Sequence, residues 1–258
     1  MHAFLFAAGR ATRLGAAHAN TPKILLPIGG RSLLDWHVGH LAALGYTRIT
    51  VVSGHRREQI AAALPALGKT HGAEVRELYN PDYGEGSVIS VLTALPEIER
   101  SPGGALLLDG DVLYHRLLLE RLVTSRHPTV LLIDREYATT DDDPVLVPLR
   151  RGQPFEFRKK WAGEADSVGE SVGLFRIGAD DVPHLARETR QRASGIARLD
   201  SYDEVIRVLV KAGRFGAEDI TGLPWTEIDF PYDIEHAEAR VLPALLEPAP
   251  AGAASSTL

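Results

Sequence analysis

The sequence predicts an α/β protein with a Rossmann-like, mostly parallel sheet flanked by helices. Short apolar or β-branched runs alternate with helical patterns through the first half of the chain, with short connections between them. The first run, residues 3–8, is continuously apolar and bounded by Gly9, which is typical of a strand buried on both faces of a parallel sheet. The 258 residues suffice for one large domain that needs no metal or disulfide to be stable.

The elements of the first half each carry a local signal. A helical pattern opens at Ser32 and ends near Gly45. Residues 48–53 are β-branched, and 105–108 are an apolar run that suits a buried strand. The other expected elements are strands at 74–79 and 129–134 and helices at 56–64 and 87–95. Ligands of such sheets bind beyond the carboxyl ends of the strands, so the loops that begin at Gly9, Tyr79 and Asp109 are candidate binding loops.

The second half has a different organisation. Arg151-Gly152 lies between two strand-like runs, 145–149 and 154–160, and predicts a hairpin. The expected order is completed by a strand at 171–177, helices at 180–193 and 201–213, a short strand at 226–230 and a helix at 234–246. We expect a single domain, 1–247, with halves 1–135 and 136–247, followed by a disordered Pro-rich tail, 248–258.

Composition disfavours several classes of protein. Lys and Arg number 28 against 34 Asp and Glu, and this net charge of −6 argues against nucleic-acid binding. No apolar run approaches the ~18 residues of a membrane span, and the N-terminus lacks the basic region of a signal peptide. We therefore expect no membrane insertion and a cytoplasmic location. The absence of cysteine excludes Cys-ligated zinc, iron–sulfur clusters and a thiol nucleophile. The oligomeric state stays open, a homodimer included.

The strongest motif follows the first strand. It reads AAGRATRLG over residues 7–15, with TPK at 21–23 and LLPIGG at 25–30. Small residues let backbone N–H groups approach a phosphate or a base closely, and Arg13 and Lys23 would neutralise phosphate charge. The alternative is a small-residue turn with two solvated cations.

Carboxylates follow two of the predicted strands. Asp109 and Asp111, in LDGDV, should point to the same side if the segment is extended. Asp229 follows the last strand in WTEIDFPYD and could face Asp111 across a metal ion. Carboxylates at strand ends suit Mg²⁺ bound to a polyphosphate. The alternatives are an Asp-Gly turn at Asp109 and a helix cap at Asp233.

Three other patterns are weaker. His37 and His40 lie three apart on one helix and could share a metal, but no third ligand is near in sequence. GKT at 68–70 looks like the end of a phosphate-binding P-loop, but the first glycine is replaced by Ala63 and a helix precedes it. The three aspartates at 141–143 are most simply a solvated loop.

Taken together, these residues resemble the sugar-nucleotidyltransferase superfamily over most of 3–246. The resemblance rests on AAGRATRLG with TPKILLPIGG, and on DGDV and EID, which match its two metal aspartates. YNPDY, GESVGLFRI and DITGLPWTEIDFPYD are similar to bacterial phosphocholine cytidylyltransferase-type proteins, and so to aminoethylphosphonate and inositol-phosphate cytidylyltransferases. The resemblance implies the nucleotide-diphospho-sugar transferase fold, with a nucleotide-binding first half and a hairpin-containing acceptor lobe.

The resemblance also implies roles for single residues. Arg13 and Lys23 would bind the triphosphate, and Lys159, or Lys160 one position on, would meet the acceptor phosphate. The implied nucleotide contacts are Ala7, Ala8, Gly9, Gly86 and Ser87, and the implied Mg²⁺ ligands are Asp111 and Asp229. Ala11 departs from the pattern, which often has glycine there. Alanine resists positive φ, so we expect a different loop path at this position.

The implied reaction is Mg²⁺-dependent transfer of a cytidylyl group from CTP to a small phosphate or phosphonate, with release of pyrophosphate. Aromatic rings with acidic neighbours favour a cationic acceptor, phosphocholine or 2-aminoethylphosphonate. The candidate rings are Trp161, Trp225, Phe230 and Tyr232, with Tyr83 and Tyr202 farther out, and the carboxylates are Glu170, Asp203, Glu204 and Asp219. The alternatives are a sugar-1-phosphate or inositol-1-phosphate nucleotidyltransferase and an inactive nucleotide-binding regulatory module. A dehydrogenase is disfavoured because no G-x-G-x-x-G follows the first strand.

Overall fold

The computed structural model describes residues 1–15, 18, 20–137 and 144–247. The aspartates at 141–143 and the tail at 248–258 lie outside these residues. The strands are β1 His2–Ala7, β2 Pro27–Ile28, β3 Arg31–Ser32, β4 Arg48–Ser53, β5 Glu74–Tyr79, β6 Ala105–Asp109, β7 Val112–Tyr114, β8 Val130–Asp134, β9 Leu146–Arg150, β10 Gln153–Pro154, β11 Ser167–Ile177, β12 Gly216–Asp219 and β13 Trp225–Glu227. The helices are α1 Leu33–Ala43, α2 Arg57–His71, α3 Val88–Glu99, α4 Arg116–Thr124, α5 Val182–Arg192, α6 Asp203–Lys211, α7 Pro231–His236 and α8 Leu242–Leu246.

Within the described residues, nine strands form the central sheet. β5, β4, β1 and β6 lie side by side and run parallel. β11 pairs antiparallel with β6 and also with β8 and β9; β10 lies beyond β9, and β12 runs parallel to β8. This arrangement confirms the predicted mostly parallel sheet flanked by helices.

Alternate residues of the parallel strands belong to two apolar layers, one on each face of the sheet. Leu5 and Leu108 pack with buried residues of α1, α2 and α4. Phe4 and Leu107 pack with buried residues of α3, α5 and α6. Because both faces are covered, the strands are apolar at successive positions, which explains the continuous runs in the sequence. None of the described helices has the length and apolar character required to cross a membrane.

Several boundaries differ from the prediction. The helices predicted to end near 64 and 95 continue to His71 and Glu99, past internal prolines. Leu67 and Ile98 pack into the core beyond those prolines, and this packing offsets the local cost of proline. Residues 68–70 lie inside α2 rather than in a phosphate-binding loop. The β2–β3 hairpin, β7, α4 and β12 were not anticipated.

Two antiparallel pairings shape the ligand side of the sheet. β9 and β10 form the hairpin predicted around Arg151-Gly152. β13 pairs with β7, and the N–H of Ile228 donates to the carbonyl oxygen of Asp111 at 2.9 Å. This second pairing brings the C-terminal carboxylates to the end of β6, although more than a hundred residues separate them in sequence.

Candidate active site

A cavity of about 410 Å³ opens at the carboxyl ends of the central strands. The loop after β1, the end of β6, the bulged part of β11 and the segment after β13 all contribute to its wall. Of the residues implied by the sequence, the cavity is lined by Ala7, Gly9, Arg13, Lys23, Asp111, Lys159 and Asp229. The topology therefore collects cationic and acidic side chains at one place.

The loop after β1 turns sharply at Ala11, which has φ 53° and ψ 37°. The expectation that alanine would avoid positive φ is therefore wrong. A left-handed residue costs about 1–2 kcal/mol. The methyl group of Ala11 and the side chain of Leu14 are both buried in the core, and this packing offsets that cost. The turn leaves Arg13 facing the cavity.

Three carboxylates converge at the centre of the cavity. One oxygen from each of Asp111, Glu227 and Asp229 lies within 4.8 Å of the other two. Asp233 accepts hydrogen bonds from the backbone N–H groups of Asp229 and Phe230, both at 2.7 Å, and so fixes the chain at Asp229. The helix-capping interpretation of Asp233 is thus confirmed, and Glu227 is a carboxylate that the sequence analysis missed.

Two cations neutralise this cluster. The ammonium of Lys23 donates to Asp111 Oδ2 at 2.8 Å and also to Asp229 Oδ1. Arg13 Nη1 donates to Asp229 Oδ2 at 2.7 Å. Burial alone would lower the pKa of Lys23, but the two aspartates raise it well above its usual value. Burial and the charges of Asp111 and Asp229 raise the pKa of Glu227 to about 8, although the charge of Lys23 opposes this rise.

Asp109 lines the same cavity as Asp111 but does not join the cluster of three carboxylates, because the segment is not extended. β6 ends at Asp109 and a turn follows, which breaks the strand alternation. The hydroxyl of Tyr202 donates to both oxygens of Asp109, at 2.7 and 2.8 Å. The absence of a side chain at Gly173, which has φ 73°, makes space for the Asp109 carboxylate, because a Cβ there would lie 2.5 Å from Asp109 Oδ2. Burial and the nearby Asp111 raise the pKa of Asp109 well above its usual value.

The two lysines after the hairpin differ in position. Lys159 lines the cavity, whereas Lys160 is not among its lining residues. Lys159 lies near Asp203, a carboxylate at the start of α6. Burial raises the pKa of Asp203, and the charge of Lys159 opposes that rise. The geometry thus favours Lys159 over its neighbour as a cavity residue.

The remaining predicted nucleotide contacts are engaged elsewhere among the described residues. The N–H of Gly86 donates to the backbone carbonyl oxygen of Arg198 at 2.9 Å. A side chain at Gly86 would collide with the carbonyl oxygen of Asp200. Ser87 Oγ accepts from the N–H of Tyr202 at 2.9 Å. The carbonyl oxygen of Ala8 accepts from His55. These three residues lie outside the cavity wall, and their contact with a nucleotide stays a prediction.

A second pocket of about 230 Å³ adjoins the first and shares Pro144, Glu170, Glu227 and Asp229 with it. Apart from Thr226, its other described side chains are acidic or aromatic: Asp134, Glu136, Asp233, Tyr137, Trp225, Phe230 and Tyr232. Phe230 and Tyr232 stack with ring centroids 5.3 Å apart. No Lys or Arg is among the described residues that line it.

Other aromatic and acidic candidates lie elsewhere. Trp161 packs against Phe155 and lines neither pocket. Glu204 pairs with Arg207 and Arg192, and Asp219 pairs with Arg135. Sequence proximity to the hairpin or the C-terminal segment was therefore a weak guide, because the strand pairings decide which side chains reach the pocket.

Of the two histidines on α1, His37 is buried and His40 is half-buried. His37 Nδ1 lies 3.1 Å from the hydroxyl of Tyr114. Burial lowers the pKa of His37 to about 4 and that of His40 to about 3. Among the described residues, the side chains that converge on a possible metal position are the three carboxylates of the cavity and do not include these histidines.

Comparison with known families decides the affiliation of the chain. Residues 3–215 match the MobA-like NTP transferase domain. The chain belongs to this family. Nucleotidyltransferases of this kind generally use a divalent metal ion. The converging oxygens of Asp111, Glu227 and Asp229 fit such an ion, because hard cations prefer carboxylate ligands.

Individual NTP transferase relatives are similar over nearly the whole chain. A CMP-5'-(3-aminopropyl)phosphonate synthase of Streptomyces rubellomurinus is 27% identical over 94% of this chain and 39% of its own length. A bifunctional IPC transferase and DIPP synthase of Rubrobacter xylanophilus is 31% identical over 93% of this chain and 52% of its own length. The chain thus spans about half or less of these curated relatives.

Solved structures share the fold. The inositol-1-phosphate CTP transferase from T. maritima has a TM-score of 0.70 at 19% identity, covering 90% of each chain. The CTP:phosphocholine cytidylyltransferase from Streptococcus pneumoniae has a TM-score of 0.70 at 19% identity, covering 92% of this chain and 97% of its own. The expected superfamily resemblance is confirmed by these findings together with the family match.

Proposed function

We propose that the protein transfers the cytidylyl group of CTP to a small phosphate or phosphonate that carries a cationic head group, with release of pyrophosphate. The observation that supports this most strongly is the single cavity in which Asp111, Glu227 and Asp229 meet Arg13, Lys23 and Lys159. In the reaction, an acceptor oxygen attacks the α-phosphorus of CTP and the bond to pyrophosphate breaks. No covalent enzyme intermediate is required.

The chain contributes charge and position rather than a nucleophile. Arg13 and Lys23 would hold the triphosphate, and the small loop at Ala7 and Gly9 would admit the nucleotide. Asp111, Glu227 and Asp229 would hold Mg²⁺, which supplies charge neutralisation at the phosphates. In this proposal, residues 1–135 chiefly bind the nucleotide and residues 136–247 chiefly bind the acceptor.

Lys159 would hold the acceptor phosphate within reach of the α-phosphorus. Lys159 lines the same cavity as the carboxylate cluster and lies near Asp203. Holding two anionic reactants together requires such a cation, because their mutual repulsion opposes the attack. A retained set of cations and metal-type ligands in one cavity favours an enzyme over an inactive regulatory module.

The second pocket supports a cationic head group. Its described wall is mainly acidic and aromatic, and it shares Pro144, Glu170, Glu227 and Asp229 with the first cavity. An aromatic ring contributes about 0.5–2 kcal/mol to binding a cation, depending on desolvation. An inositol or sugar phosphate would need side-chain amides or hydroxyls for its many OH groups, and the described wall contains no Asn or Gln.

The choice of CTP is supported by the names of the relatives. One makes a CMP-aminopropylphosphonate, and two of the similar structures are a CTP transferase and a CTP:phosphocholine cytidylyltransferase. We extend this chemistry to the present chain as a proposal. Phosphocholine, 2-aminoethylphosphonate and 3-aminopropylphosphonate share an anionic end and a cationic end, which suits the two adjoining pockets.

The test is a substrate matrix. Pyrophosphate release would be measured with CTP, UTP, dTTP and ATP against the three cationic acceptors, inositol-1-phosphate and glucose-1-phosphate, with mass spectrometry of the products. We expect the highest kcat/KM with CTP and a cationic acceptor. A higher kcat/KM with CTP and a neutral polyol phosphate would contradict the acceptor proposal, and a preference for UTP or dTTP would contradict the choice of nucleotide.

A further inference from the structure

The ammonium of Lys23 contacts two of the three carboxylates that could hold a metal ion. It contacts Asp111 Oδ2 at 2.8 Å and Asp229 Oδ1, and these two side chains belong to the trio whose oxygens converge within 4.8 Å. Arg13 covers the other oxygen of Asp229 at 2.7 Å. The lysine side chain is only 19% exposed, so it is held between the carboxylates rather than extended into solvent.

A lysine and a divalent cation compete for these oxygens. Both need the same lone pairs of Asp111 and Asp229, and two cations in contact with one carboxylate pair repel each other strongly in a half-buried site. In the nucleotide-free protein, the ammonium of Lys23 therefore neutralises the charge of the carboxylates that would bind the metal. For a metal ion to bind both aspartates, Lys23 has to move.

The cavity offers Lys23 another partner when a nucleotide is present. Lys23 and Arg13 line the same cavity as the small loop at Ala7 and Gly9, where the proposed function places the triphosphate. Phosphate oxygens accept hydrogen bonds from an ammonium as carboxylates do. The lysine can thus exchange carboxylate oxygens for phosphate oxygens as the metal takes the carboxylates.

We infer that Lys23 is an internal counterion that blocks the metal position in the nucleotide-free protein, so that the metal binds productively only together with the nucleotide. This inference rests on the proposed function for the identity of the ligand, but not on which acceptor is used. Lys23 would then have two partners, one after the other: the metal ligands before the nucleotide binds, and phosphate afterwards.

The test measures metal binding without substrates. Mn²⁺ serves as the probe because it takes the same oxygen ligands as Mg²⁺ and its free concentration can be followed by electron paramagnetic resonance. Wild-type protein, Lys23→Ala and Lys69→Ala would be titrated without CTP or acceptor. Lys69 is exposed on α2 and serves as the matched control for the loss of one positive charge.

We expect Lys23→Ala to bind Mn²⁺ roughly tenfold or more tightly than the wild type, and Lys69→Ala to match the wild type. Adding Asp229→Asn to Lys23→Ala should abolish the gain. Equal Mn²⁺ affinity in Lys23→Ala and Lys69→Ala would overturn the inference, as would a gain that survives Asp229→Asn. Lys23→Met, which keeps the apolar stem, replaces Lys23→Ala if the shorter side chain prevents folding.

The outcome is independent of turnover. A wrong acceptor or nucleotide in the proposed function would appear as failure of the substrate matrix, while the Mn²⁺ titration would still report on Lys23. Conversely, an active cytidylyltransferase whose Lys23→Ala variant shows no gain in Mn²⁺ affinity would refute the counterion role alone.

Discussion

The substitution Lys159→Met tests whether Lys159, rather than Lys160, holds the acceptor phosphate. Methionine keeps the length and the apolar stem of lysine and removes only the charge. Lys159 is exposed to the open cavity, so its contribution is less than the ~1.5–3 kcal/mol of a buried hydrogen bond to a charged group. The contribution of Lys159 to binding should exceed the ~0.2–1 kcal/mol of a fully solvated ion pair. About 1–2 kcal/mol corresponds to a loss of roughly 5- to 30-fold in kcat/KM for the acceptor.

The assay follows pyrophosphate release at saturating CTP while phosphocholine or 2-aminoethylphosphonate is varied. Lys160→Met is the matched control, because the neighbouring lysine does not line the cavity. We expect Lys160→Met to remain close to the wild type. Equal losses in the two variants, or a change in Lys159→Met confined to the KM for CTP, would refute the assignment of Lys159 to the acceptor phosphate.

Two further predictions concern the metal cluster and acid stability. Asp111→Asn should leave the fold intact and lower turnover by ~10²-fold or more, with Asp180→Asn as the exposed control; near-normal turnover at saturating Mg²⁺ would exclude Asp111 from the role. The pKa of His40 is about 3 in the folded protein and 6.5 in the unfolded chain. Because the unfolded chain takes up the proton first, the protein loses stability as the pH falls below 6.5. The drop in unfolding free energy between pH 7 and 5, measured in urea, should be about 2 kcal/mol smaller in His40→Phe than in the wild type or the exposed control His236→Phe. An unchanged drop would show that His40 does not contribute.

The fold could be predicted because its parallel strands are locally distinctive. The runs at 48–53 and 74–79 match the observed strands, and the loop after β1 carries small residues and cations in one short segment. Most of the cavity residues that the sequence implied follow the ends of such strands. Local composition and the rule that parallel strands present their carboxyl ends together pointed to the loops after β1 and β6, whereas the family resemblance implied the role of Lys159.

What the sequence could not provide is pairing between distant strands. The alternation rule was applied to Asp109 and Asp111, where a turn breaks it. Glu227 and Asp229 are also two apart, and both reach the cluster. The spacing in EID was a signal that could have identified Glu227. The family resemblance assigned Gly86 and Ser87 to the nucleotide, and that contact stays a prediction. The segment from Arg198 to Tyr202 docks on both residues, and nothing local in the sequence indicates this docking.

The position of β11 has a consequence for how the chain is made. β1 covers one edge of β6. The other edge is covered by β11, which comes later in the chain and in which Leu174 pairs with Leu108 of β6. During synthesis, an apolar strand edge is therefore exposed until β11 emerges, and exposed edges of this kind recruit other chains. A fragment that stops near residue 135 should aggregate rather than yield a small nucleotide-binding protein, because the two halves of the binding cavity share one sheet.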